Sequence, residues 1–303
     1  MLFSFLLTLV SGCSLMILVL TISLLFIGAE NVLYDIQGTD ASVFAPYRRF
    51  LAGRCADRCP PPLLYASCLC LLIIFLFIPM GSFPQFVETE GDFIAIVFLL
   101  LAAQGLYIRG MKAFSGEIYQ SFDPRELFVL SKFAVTLIAA GGMLSWYALN
   151  RGMPGSIFSL ETFTATSLWT VTGIWGKAGS IIFLLLLSAV SPSRGVTKTR
   201  IVDNVQIPEI FDAIRSTLAP AMIVSLFFPV RLGLSFGFIG FRMFLVDFIS
   251  FWIRVMLVQI ILVPLSGRGF SKVKQIVPER LGHLPEIVVG ASGIFFFMLD
   301  LYI

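Results

Sequence analysis

Charged side chains set inside apolar sequence are the residues of this chain with the most chemistry to offer. Lys177 stands in Thr172-Gly-Ile-Trp-Gly-Lys177, with apolar sequence on both sides. Asp247 and Arg254 share another apolar stretch, seven residues apart. That spacing is about two helical turns and puts both on one face. Arg242 precedes them at a rotated position, and Lys132 stands near the head of a further stretch. A charge at the centre of a bilayer costs about 2.5 to 3.5 kcal/mol on insertion scales, so such groups turn toward a bundle interior, a partner subunit or a wet cavity. Their open chemistry is therefore the movement of an ion, or electrostatic coupling to one. A purely structural role competes with it. Asp247 and Arg254 can neutralise each other or a neighbouring helix, and Lys132 and Arg242 lie near enough to their span ends to snorkel. Lys177 has no acid in its own stretch to neutralise it.

Other chemistries lack raw material. His283 is the only histidine, which removes His-dependent nucleophilic catalysis and haem ligation by histidine pairs. No G-x-x-x-x-G-K-[ST] loop and no G-x-G-x-x-G fingerprint occurs, so phosphate-loop nucleotide hydrolysis and dinucleotide redox chemistry are not encoded. Cys13, Cys68 and Cys70 fall in or beside apolar stretches, where cysteine acts as a small apolar residue. Cys55 and Cys59 form a C-x-x-x-C pair without a second pair or a histidine cluster to complete about four metal ligands. No cofactor or metal is expected on this chain, and nothing in it points to nucleic acid.

The elements that position these charges are eight apolar stretches: Leu2 to Ile27, Leu63 to Met80, Phe93 to Ile108, Leu127 to Leu149, Phe163 to Val190, Phe211 to Val230, Phe236 to Leu265 and Leu284 to Ile303. A transmembrane helix needs about 20 apolar residues. Composition agrees, with 58% hydrophobic and 13% charged residues and a mean hydropathy of +0.95; globular chains carry about 25% charge. The first stretch is too long for a signal peptide core, and no Lys or Arg precedes it. Of the 21 Lys and Arg residues, 15 fall in alternate connections or, for Arg215, just inside the stretch that follows one, among them Arg48, Arg49, Arg54 and Arg58 at the first and Arg194, Lys198, Arg200 and Arg215 at the fifth. By the positive-inside rule these connections face the cytoplasm. The expected fold is all-α: one transmembrane domain over residues 1–303, an integral membrane bundle of eight helices with both termini outside.

The order of features resembles a known family. Gly91-Asp-Phe-Ile-Ala-Ile-Val-Phe-Leu99 is similar to a G-D-[LF] start of the third span. Ala113-Phe-Ser-Gly116 follows at similar spacing, then Asp123-Pro-Arg-Glu-Leu127, which resembles an S-R-E sequence at the head of the fourth. Gly38 to Gly53, with Tyr47-Arg48-Arg49, resembles an R-R-G-P…Y-R-D…G stretch. These features resemble the membrane subunit that joins the peripheral and membrane arms of NADH:quinone oxidoreductase, respiratory complex I. They are closer to its counterpart in formate hydrogenlyase and related energy-converting nickel-iron hydrogenases. The resemblance implies a multi-pass subunit of a bacterial or archaeal cytoplasmic membrane that contacts antiporter-like membrane subunits and a peripheral cytoplasmic subunit.

One departure carries a mechanistic consequence. Where the family has a P-F-D-x-x-E-x-E loop, this chain reads Ser191-Pro-Ser-Arg-Gly-Val-Thr-Lys-Thr-Arg-Ile-Val-Asp203. Carboxylates can exchange protons near neutral pH when burial raises their pKa, whereas Arg stays charged. A proton path entering through that acidic loop is therefore not carried over, and the sequence leaves quinone binding open. Arg194, Lys198 and Arg200, with Arg48 and Arg49, suit instead the acidic face of a cytoplasmic partner. The surviving ionisable candidates are Arg125 and Glu126 at the head of the fourth span and Asp92 at the head of the third. Helix capping is the competing role of both acids. Glu88 and Glu90 read as solvated loop charge.

The functional expectation is a membrane subunit of a redox-linked ion-translocating complex, with Lys177, Asp247, Arg254, Glu126, Arg125 and Asp92 as ion-path candidates. The alternative is a self-contained ion or solute transporter, against which stands the lack of inverted repeats and of paired helices broken by Gly or Pro.

Overall fold

The computed structural model describes residues 2–34, 61–80, 92–115, 138, 141–152, 160, 168–190, 206–229, 232, 237, 241–276 and 284–302. Among the described residues all regular structure is helical. The elements are α1 (Leu2–Tyr34), α2 (Pro62–Ile74), α3 (Asp92–Ser115), α4 (141–150), α5 (Leu168–Val171), α6 (Ile174–Val190), α7 (Gln206–Phe227), α8 (Phe241–Ile276) and α9 (Leu284–Tyr302).

Local sequence explains where several of them begin and end. Pro61 stands extended at the head of α2, and Pro62 occupies its first turn, where the missing N–H costs nothing. The second apolar stretch is long enough for a regular helix to Met80. The helix instead ends at Ile74, and the amides of Phe75, Leu76 and Phe77 turn back three residues to the carbonyls of Leu72, Ile73 and Ile74. Gly152 closes α4 at φ +59°, a left-handed position glycine adopts without penalty, and its N–H bonds the Leu149 carbonyl at 3.3 Å.

Three helices contain windows long and apolar enough to cross a membrane: Asp92–Ala113 in α3, Ile210–Phe227 in α7 and Arg242–Ile261 in α8. Shorter apolar segments lie at Gly12–Phe26, Pro62–Ile74, Ile174–Leu184 and Val288–Tyr302. α7 is the central element. Of its apolar window 83% is buried, against 33% in α3 and 28% in α8. Thr217 of α7 shares a buried 2.9 Å hydrogen bond with Ser23 of α1. Phe211 stacks on Tyr107 of α3 with centroids 4.1 Å apart, and Phe227 meets Phe183 of α6. A second aromatic knot joins α1, α2 and α8, where Trp252 packs against Phe26, Phe75, Phe248 and Phe251.

α4, α6 and α9 form a close-packed group, joined to α7 through Phe183 and Phe227. Along α4 and α9, Met143 meets Gly293, Tyr147 meets Phe297 and Arg151 meets Asp300, so these two helices run parallel. Against α9, Gly173 and Gly176 face Asp300, Gly179 faces Phe297 and Ile182 faces Gly293, so α6 runs the opposite way. Glycines at intervals of three let the backbones approach. A Cβ at Gly176 would lie 2.6 Å from Asp300 Oδ2, and one at Gly293 would lie 2.5 Å from Met143 Sδ.

Candidate functional site: charge clusters within the bundle

The fifth apolar stretch is not one continuous helix. α5 ends at Val171 and α6 starts at Ile174, leaving Thr172 and Gly173 between them. Sequence places Lys177 near mid-span. In the structure it stands in the first turn of α6, where its N–H bonds the Gly173 carbonyl at 3.0 Å. The reason for the difference is the break itself, since it creates a new helix N-terminus inside apolar sequence. The Lys177 ammonium lies 5.6 Å from the centre of the Trp169 ring, a cation–π placement.

The open end of α6 is closed by a residue absent from the sequence-derived candidates. Asp300, near the end of α9, is 8% exposed. Its Oδ2 accepts from the Gly173 N–H at 3.1 Å, from Arg151 Nη2 at 2.5 Å and from the Tyr147 hydroxyl at 3.3 Å. The Gly176 N–H also donates to the carboxylate. A carboxylate suits this place because helix N-termini present unsatisfied N–H groups and partial positive charge. Arg151 completes the arrangement: Nη2 donates at 2.8 Å to the Asp300 carbonyl, and Nε donates at 3.1 Å to Tyr147 Oη. In sequence Arg151 is only a lone positive charge in an outer connection. The available signal was Asp300 itself, an acid set inside the last apolar stretch.

The Asp247–Arg254 pair is joined by contacts to a second helix. Arg254 Nη1 donates to the carbonyl of Phe228, just beyond the end of α7, and Nε donates at 3.1 Å to the Ser250 carbonyl. Cations favour helix C-termini. Asp247 is fully buried and lies within electrostatic reach of Arg254. Arg254 therefore reaches from α8 to the end of α7, and its charge is fixed because guanidinium does not give up its proton.

A third cluster lies where the start of α7 meets the latter half of α3. Arg215 Nη1 donates at 3.1 Å to Gln104 Oε1. Asp212, one turn earlier on α7, lies within electrostatic reach of Arg215, Tyr107 and Cys68. Sequence counts Arg215 among the basic residues of a cytoplasmic connection. The structure places it within α7 (Gln206–Phe227) and against α3, in agreement with its position inside the sixth apolar stretch and not with a connection.

Asp92 is the first residue of α3 and is fully buried, in keeping with an acid at a helix head. Arg242, in the first turn of α8, is exposed. Glu126, Arg125, Arg48, Arg49, Arg194, Lys198, Arg200 and Lys132 lie outside the described residues, as do Cys55, Cys59 and His283. Among the described residues no group of His, Cys, Asp and Glu is placed to hold a metal, and Cys13, Cys68 and Cys70 are free thiols.

Among the described residues the charges within the bundle fall into three clusters, with Asp92 apart at the head of α3. Arg151 and Asp300 sit at the head of α6 near Lys177, Asp247 and Arg254 near the tail of α7, and Asp212 and Arg215 between α7 and α3. No protein-family model matches the chain, and no curated protein matches it.

Proposed function

We propose that this chain is a membrane subunit of a redox-linked ion-translocating complex, of the kind found in NADH:quinone oxidoreductase and membrane-bound hydrogenases. It anchors a peripheral cytoplasmic arm and couples it to antiporter-like membrane subunits. The observation that carries this reading is the set of ionisable side chains within an apolar helix bundle, Asp92 and Asp247 buried and Lys177 and Asp212 half-buried, with no metal ligand set among the described residues. Intramembrane ionisable groups mark ion pathways by default because their placement is costly.

Two features support it. The opposite directions of α6 and α9, and the shared direction of α4 and α9, are those that successive passes through a bilayer produce. The outward side chains of α8, including Leu245, Ile249, Ile253, Leu257 and Ile261, are apolar and exposed, which fits lipid or another membrane subunit. In this reading the eight apolar stretches are eight passes, both termini lie outside, and the protein resides in the cytoplasmic membrane of a bacterium or archaeon. Its basic connections, with Arg48, Arg49, Arg194, Lys198 and Arg200, receive the peripheral partner.

The test is purification in mild detergent from native membranes. The chain is expected to bring other membrane subunits and at least one peripheral protein with it. Recovery as a stable solitary protein that moves an ion or solute after reconstitution would instead establish a self-contained transporter. One observation favours that second reading: the fifth stretch is broken, and a half-helix N-terminus points at a carboxylate, a construction that transporters use at binding sites.

A further inference from the structure

We infer that Asp300 and Arg151 are positioning residues for Lys177, and that Asp300 occupies an anion site for which it is the chain's own ligand. The inference rests on the ion-path role of Lys177 proposed above and supplies the groups that hold it in place. Its basis is the geometry at the head of α6. Breaking a helix leaves the first backbone N–H groups of the new helix without intrahelical partners. Two of them, on Gly173 and Gly176, are paired by one carboxylate arriving from α9. That carboxylate is in turn held by the Arg151 guanidinium and the Tyr147 hydroxyl of the α4 side.

The site has the shape of a carboxylate. Gly173 and Gly176 leave the room, since a Cβ at either would come within 2.6 Å of an Asp300 oxygen. The planar guanidinium of Arg151 reaches both the side chain and the backbone carbonyl of Asp300 and thereby fixes its rotamer. Lys177 stands in the first turn of the helix so anchored, one residue beyond the Gly176 amide. The carboxylate therefore sets where the ammonium lies against Trp169. Without it, the first turn of α6 loses both its cap and its tie to α4 and α9, and Lys177 is released.

The experiment reads the acylation rate of the Lys177 amine by a water-soluble N-hydroxysuccinimide ester in permeabilised native vesicles, resolved by mass spectrometry. Lys112, in the last turn of α3, serves as the internal control. Removing a charged cap and its ties is expected to raise the Lys177 rate about tenfold in Asp300→Ala, while the Lys112 rate stays at its native value. Sodium formate, a carboxylate small enough for the vacated site, is expected to return the Lys177 rate toward native in Asp300→Ala and to do nothing in the unaltered protein. Asp300→Asn keeps an acceptor but loses the charge, and falls between the two. Unchanged Lys177 labelling in Asp300→Ala overturns the inference, as does a rise shared equally by Lys112 that formate does not reverse. If Asp300→Ala does not accumulate in the membrane, Asp300→Asn decides by the same readout. Ion uptake by the same vesicles is scored separately: altered Lys177 labelling with undiminished uptake leaves the positioning role standing and removes Lys177 from the ion path.

Discussion

At the scale of single residues, the interior charges divide by what their protons can do. Arg151, Arg215 and Arg254 are permanent charges that hold carbonyls and carboxylates, while Lys177 and the buried acids can exchange a proton or follow an ion. Lys177→Met keeps most of the apolar bulk and removes only the charge. It is expected to leave subunit assembly intact and to reduce proton or sodium uptake by vesicles; an assembled complex with undiminished uptake sinks the ion-path role of that residue. For Arg151 and Asp300 the expectation is coupling. Asp300→Asn and Arg151→Met should each lower thermal stability, and the double variant should fall short of the sum of the two by about 1 kcal/mol. The figure is modest because the Arg151 side chain is 30% exposed and solvent screens it. Additive losses in detergent melting experiments would show that the two side chains act independently.

The elements add a constraint that no side chain carries alone. Glycines at three-residue intervals bring α6 and α9 together, so their replacement tests the close approach directly. Gly176→Ala places a methyl group 2.6 Å from Asp300 Oδ2 and 2.8 Å from Thr172 Cβ, and overpacking of this kind costs about 1 to 3 kcal/mol. Gly105→Ala is the matched control: it lies within α3, and an added Cβ meets nothing within 4 Å. There the intrinsic preference of Ala for helix favours the variant by up to about 1 kcal/mol. Opposite signs in the melting temperatures of these two glycine variants are expected. A shared sign would mean that the packing of α6 on α9 does not govern stability.

For the molecule as a whole, the predictions concern sidedness and partners. Alternating basic connections orient the bundle, so a cysteine introduced as Asn150→Cys is expected to react with an impermeant thiol reagent added outside. Lys198→Cys should react only when the cytoplasmic face is opened; the reverse pattern overturns the topology. Changing Arg194, Lys198 and Arg200 together to Glu should detach the peripheral partner progressively, with the loss strongest at low salt, because exposed charges interact over about 10 Å at 0.1 M ionic strength. Retention of the partner across that salt series would place its docking surface elsewhere.

Hydrophobic length, the single histidine, the lack of nucleotide motifs and the alternation of positive charge are properties of local sequence. From them the helical class and the apolar stretches could be read directly. The heads of α2 and α3 were legible for the same reason, since Pro62 and Asp92 act within their own first turns. The partners of the interior charges were not. Arg151 and Asp300 are separated by 148 intervening residues, and nothing short of the packing of α4, α6 and α9 brings them into one site. The break at Thr172 and Gly173 was hidden because apolar composition reads continuously across it, while the hydrogen bonds that stabilise the exposed helix end come from another helix. For Arg254 the spacing identifies the right face but not the partner, the Phe228 carbonyl at the end of α7. Sequence determined which segments prefer an apolar environment, because that preference is additive along the chain. Tertiary structure decided which charge meets which helix end, because that depends on the directions and close approaches of helices far apart in sequence.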